Sequence, residues 1–110
     1  MNVTPQMIIT AYDNLADALD AWKTVEIELS LAKCDLDTAH AQALASGQIE
    51  GRNQEQRAAA ARELLADLFA TVAKLEIEAA EARLAHDLAY IQRKKVDKLI
   101  DIHTLQLQPA

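Results

Sequence analysis

Both glycines of this chain lie in one short segment, Ser46-Gly47-Gln48-Ile49-Glu50-Gly51-Arg52-Asn53. On either side stand two long runs, 5–45 and 54–107, whose only proline is Pro5 at the very start. Glycine and proline are the residues that most readily end a helix. A chain punctuated once in the middle therefore predicts two helices and one turn. The expected spans are about 5–45 and 54–107, joined by a turn at 46–53, in a single helical domain covering 1–110. At 1.5 Å per residue the helices would run roughly 60 and 80 Å. The predicted fold is all-α: a long antiparallel helical hairpin of coiled-coil type.

The ends of these runs carry helix-terminus chemistry. Thr4-Pro5 offers an N-cap followed by proline at the first helical position. Ser46-Gly47 predicts a glycine C-cap for the first helix. Asn53 predicts the N-cap of the second, with Gln56 at the capping-box position three residues on. Gly51 is expected to supply a backbone angle that other residues reach poorly. The segment lacks the glycine-rich run followed by Lys-Ser/Thr that cradles phosphate.

The apolar residues repeat every seven. Ile8, Leu15, Trp22, Leu29, Leu36 and Ala43 form one series, and Ala11, Ala18, Val25, Ala32 and Ala39 a second, three residues on. Such a four-three seam, sustained over many turns, predicts a coiled-coil face. The second run continues the pattern through Ala58, Ala61, Leu65, Leu68, Val72, Leu75, Ala79, Ala82, His86, Ala89, Arg93, Val96, Ile100, His103 and Leu107. Much of this seam is alanine, which supplies 22 of the 110 residues, against one Phe, one Trp and two Tyr. Alanine favours helix but buries little area, so two such helices make a thin core that oligomerisation is expected to complete. A further apolar stripe points the same way: Ile77, Leu84, Leu88, Ile91, Leu99, Ile102 and Leu105. A two-helix hairpin leaves such a stripe wet, and long exposed stripes mark interfaces. Trp22 reads either as seam packing or as an anchor at that interface.

The net charge of −6 is unevenly spread. Residues 1–50 carry two basic and eight acidic side chains, and residues 51–110 carry nine of each. An acidic chain argues against non-specific nucleic-acid binding as the main task. Asp13, Asp17 and Asp20 read as a solvated face or as an acidic docking surface. The one dense basic cluster is Arg93, Lys94, Lys95 and Lys98, preceded by Tyr90. It admits three readings: phosphate contacts to DNA or RNA assisted by a stacking ring, ion pairs to the acidic helix of another subunit, or a solvated face. In the first reading Arg52 and Arg57 at the turn would assist.

Catalytic and metal-binding constellations are not evident. Cys34 is alone, so it predicts no intrachain disulfide and no structural zinc site. His40, His86 and His103 stand in no metal-ligand spacing. Glu26, Glu76 and Glu78 lack the Glu-x-x-His pairs of diiron bundles. Neither a signal-peptide pattern nor an apolar run of membrane-spanning length is present. The expectation is a non-enzymatic protein of the cytoplasm, without cofactor, that associates with itself and with an unidentified protein partner.

The turn, Gly47-Gln48-Ile49-Glu50-Gly51-Arg52-Asn53 followed by Glu55-Gln56-Arg57, resembles that of small uncharacterised phage and prophage coiled-coil hairpin proteins. Their general form is a helix, then Gly-x-Ile-x-Gly-(Lys/Arg)-Asn, then Glu-x-Arg opening a second long helix. The resemblance implies a phage origin and a place in the host cytoplasm. It also implies work in virion assembly, in replication or recombination, or in inhibiting a host defence. It carries over no catalytic residue. The function expected is that of an adaptor, assembly or inhibitory protein, with nucleic-acid binding as the alternative.

Overall fold

The computed structural model describes residues 3–107. Among them the secondary structure is entirely helical: α1 spans Pro5–Ala45, α2 Gln54–Leu64 and α3 Ala66–Leu107. Pro109, expected to stop the last helix, lies outside the described residues. The second long run is thus divided at Leu65, where no glycine or proline stands. Leu65 adopts φ −107°, ψ 26°, in the sparsely populated bridge region. The departure is one residue wide. The Leu65 N–H still donates to the Ala61 carbonyl at 2.9 Å, and its own carbonyl accepts from Phe69 at 3.0 Å.

The four-three series coincides with the covered face of the helices. Every member from Ile8 to Ala43 on α1 is buried or half-buried, as is every member from Ala61 to His103, while the two end positions of the second series, Ala58 and Leu107, are exposed. The core is thin. Its buried apolar residues are Ala11, Ala43, Ile49, Ala61, Val72 and Val96, half of them alanine.

The chain divides into two compact units, residues 25–79 and residues 1–24 with 80–110. The first unit holds the turn. Gly47 sits at φ +78°, the left-handed conformation that glycine reaches without a Cβ penalty. Around it Gln48 N–H donates to Ala43 O at 2.9 Å and Gly47 N–H to Leu44 O at 3.2 Å. These two bonds form a Schellman C-cap. Ile49 then folds back and is buried against Ala43, Ala60 and Ala61. Asn53 Oδ1 accepts from Gln56 N–H at 2.9 Å. In return Gln56 Oε1 accepts from Arg52 N–H at 2.7 Å, one residue earlier than in the usual capping box.

Gly51 corrects one expectation. Its φ is not positive. What excludes a side chain there is space: a Cβ would stand 2.8 Å from Gln56 Cβ and 2.9 Å from Arg57 N.

In the other unit the N-terminal part of α1 packs antiparallel to the C-terminal part of α3, since Tyr12 meets Asp97 while Trp22 meets His86. Thr4 caps α1, its Oγ1 accepting from Met7 N–H at 3.2 Å. Two polar clasps fix the register. The Trp22 ring lies 4.9 Å from the His86 ring, with Lys23 Nζ 4.4 Å and Arg83 Cζ 5.9 Å from its centroid. The Tyr12 hydroxyl donates to Asp97 Oδ1 at 3.3 Å. Asp97 also pairs with Arg93 at 3.6 Å.

Candidate functional site

The C-terminal half of α3 carries two seams of the same four-three spacing. One faces α1 and runs Ala82, His86, Ala89, Arg93, Val96, Ile100 and His103. The other lies two residues on, about 200° around the helix at 100° per residue, and runs Glu81, Leu84, Leu88, Ile91, Lys95, Lys98, Ile102 and Leu105. The usual allocation of residues is inverted. The covered seam is largely alanine, histidine and arginine. The uncovered seam holds most of the large aliphatic side chains. Leu84, Leu88 and Ile91 are 60%, 58% and 61% exposed.

The residues expected at an interface therefore separate into groups. Leu84, Leu88, Ile91 and Ile102 are exposed along one face of this unit. Ile77 is exposed too but belongs to the unit of residues 25–79. Leu99 is half-buried. Trp22 takes the seam alternative, its ring set against His86 inside the chain.

The basic cluster is split in a similar way. Arg93 faces inward, half-buried, with its Cζ 5.7 Å from the Tyr12 ring and 5.3 Å from the Tyr90 ring. Its Nε is buried without a hydrogen bond, 3.6 Å from Asp97 Oδ2. Lys94 lies over Tyr90 at 5.2 Å. Lys95 and Lys98 belong to the exposed aliphatic seam. Arg52 and Arg57 are exposed in the other unit, at the turn. Four consecutive-looking basic residues thus serve three different faces of α3, which a run read only along the sequence does not reveal.

The remaining chemistry is sparse. The His86 ring nitrogen Nδ1 lies 3.1 Å from Oδ1 of Asp87, its neighbour on the helix. Among the described residues no three of His, Cys, Asp and Glu are placed to hold a metal ion. Cys34 is exposed and free. An open hollow between α1 and α3 is lined by Thr4, Gln6, Met7, Thr10, Ala11, Asn14, Gln92 and Val96, none of them charged. No helix among the described residues is long and apolar enough to cross a membrane.

The chain matches no protein-family model, no curated protein and no solved structure. Fold and surface together define a class: an all-α helical protein with an uncovered aliphatic face on its last helix.

Proposed function

We propose that this chain acts without catalysing a reaction, as an oligomeric adaptor, assembly or inhibitory protein whose working surface is the exposed seam of α3. The observation that carries this reading is the inversion of its two faces. Leu84, Leu88 and Ile91 are each more than half exposed. Burying such side chains contributes roughly 1.5–3 kcal/mol each, while the alanines of the covered seam contribute far less. A helix that spends its large aliphatics on the outer face gains most when something covers that face. The turn's resemblance to phage proteins supports the reading that this activity belongs to phage biology, within the host cytoplasm.

The test is solution mass by light scattering over a concentration series, for the native chain and for Ile91→Asp. The native chain is expected to reach a fixed oligomer and the variant to stay monomeric with unchanged helical circular dichroism. A native chain that stays monomeric, or a variant that assembles fully, overturns the proposal.

Nucleic-acid binding is the second reading. It rests on Lys94, Lys95 and Lys98, which are exposed and make no ion pair among the described residues. It is weakened by the inward engagement of Arg93. It requires duplex or single-stranded DNA to bind at low salt, with affinity falling steeply as salt rises and lost on replacing Lys94 and Lys95.

A further inference from the structure

The exposed seam of α3 contains its own register code. Its central members are Glu81, Leu84, Leu88, Ile91, Lys95 and Lys98, three aliphatics flanked by an acid on one side and two bases on the other, with Ile102 and Leu105 beyond the bases. We infer that this face pairs with the same face of a second copy, antiparallel and about a two-fold axis, with Leu88 opposite the partner's Ile91 and Glu81 opposite the partner's Lys98. The inference rests on the association reading above and specifies its geometry.

The argument is elimination by charge. In an antiparallel pair the order of three- and four-residue steps is reversed, so each layer sets one kind of seam position against the other. Only registers differing by whole heptads satisfy this. With Leu88 opposite Ile91, the next layer out sets Leu84 against Lys95, whose aliphatic stem lies along the leucine while its ammonium reaches the rim. The layer after that sets Glu81 against Lys98. Two-fold symmetry makes every one of these layers occur twice.

A slide of one heptad in one direction places Glu81 against Ile91. The opposite slide places Glu81 against Leu105 and both lysines against Ile91 and Leu88. Each leaves a carboxylate covered by an aliphatic side chain, which is costly unless a partner charge is present. A parallel pair in register stacks Glu81, Lys95 and Lys98 each on its own copy, three layers of like charge. The flanks agree with the chosen register. Asp87 and Lys94 stand one residue before Leu88 and Lys95, and the antiparallel arrangement brings Asp87 to the partner's Lys94. Asp87, Glu81, Lys94, Lys95 and Lys98 are all exposed in the single chain, so each is accessible for these roles.

Charge exchange tests the register. E81K places two lysines opposite each other, and K98E two glutamates. Each is expected to raise the dimer dissociation constant at least roughly tenfold, since like charges face each other twice. The double variant E81K/K98E restores opposite charges across the interface and is expected to return to within a few-fold of the native constant. An equimolar mixture of E81K and K98E is expected to form the heterodimer in preference to either homodimer, measured by native mass spectrometry. If the native chain dimerises and Ile91→Asp abolishes it, while all four charge combinations dimerise alike, this register is wrong and the association surface stands. A native chain that is monomeric, or that binds anionic vesicles as a monomer through this face, removes both.

Discussion

The turn at residues 46–57 and the last helix beyond residue 80 are built to opposite ends. The turn finishes itself. Its free carbonyls are taken by Gly47 and Gln48, its free N–H groups by Asn53 and Gln56, and its one large apolar residue, Ile49, is buried. The helix does not finish itself: apart from Val96 and Ile100 its inner face is small or polar, and most of its large aliphatic side chains stand in solvent. A segment whose caps are closed and whose large apolar residue is buried within the chain has little left with which to bind. A segment that is helical, rigid and apolar on its outer face has much. On the proposed reading, the difference makes α3 the association surface and leaves the turn a stabilising role.

The hardest way to break this comparison is to remove the residues that make each region what it is. Ile49→Ala is expected to lower unfolding free energy by about 2–4 kcal/mol, because it deletes the one large buried side chain from a cluster otherwise made of alanine. The loss should be the same at every protein concentration. Leu88→Ala, by contrast, removes an exposed side chain. It should change the stability of the monomer by less than about 0.5 kcal/mol. Its effect should appear only as a weaker concentration dependence of Tm, because association stabilises by mass action. Denaturant unfolding at two concentrations tenfold or more apart checks both. A concentration-independent loss in Leu88→Ala would mean that the outer face is structural after all.

Gly51→Ala probes the turn next. The added methyl meets Gln56 Cβ and the Arg57 amide, one of them backbone, so the start of α2 must move. The expected cost is about 1–3 kcal/mol. Asn53→Ala removes the acceptor for Gln56 N–H and should cost about 1 kcal/mol. Neither should alter the dissociation constant of the oligomer. A weakened oligomer in either would place the turn within the interface and erase the distinction.

How these regions could be read from the amino acids differs for physical reasons. The seam was legible because heptad spacing is a property of one helix: the positions from Ile8 to Ala43 and Ala61 to His103 turn inward as a block. Cap residues were legible because their chemistry is local, as at Thr4, Gly47 and Asn53. Nothing in the sequence marks Ile49 as a plug, since a lone apolar residue between two glycines has no periodicity. The Leu65 departure carries no breaker residue to announce it. The contacts of Trp22 with His86, of Tyr12 with Asp97 and of Arg93 with Tyr12 depend on how two segments more than sixty residues apart are aligned, which no local pattern encodes. The outer stripe of α3 was visible as apolar positions outside the seam. What it could not show was that Arg93 turns away from Lys95 and Lys98, because adjacent basic residues look alike until the helix assigns each to a face.

The smallest effect tests that assignment. Arg93→Lys keeps the charge but removes the planar guanidinium, which alone can lie over the Tyr90 ring and the Tyr12 ring while holding Asp97. The expected loss of stability is about 0.5–1 kcal/mol, the scale of a partly exposed cation–π contact. Repeating the measurement in high salt separates its two sources, because the half-buried Arg93–Asp97 ion pair is partly screened and stacking of the ring and guanidinium is screened less. A loss that persists in salt, with the dissociation constant unchanged, makes Arg93 part of the inner clasp. A variant as stable as the native chain but with weaker DNA binding would instead return Arg93 to the outer surface beside Lys95 and Lys98. The two faces of α3 would then no longer divide structure from function.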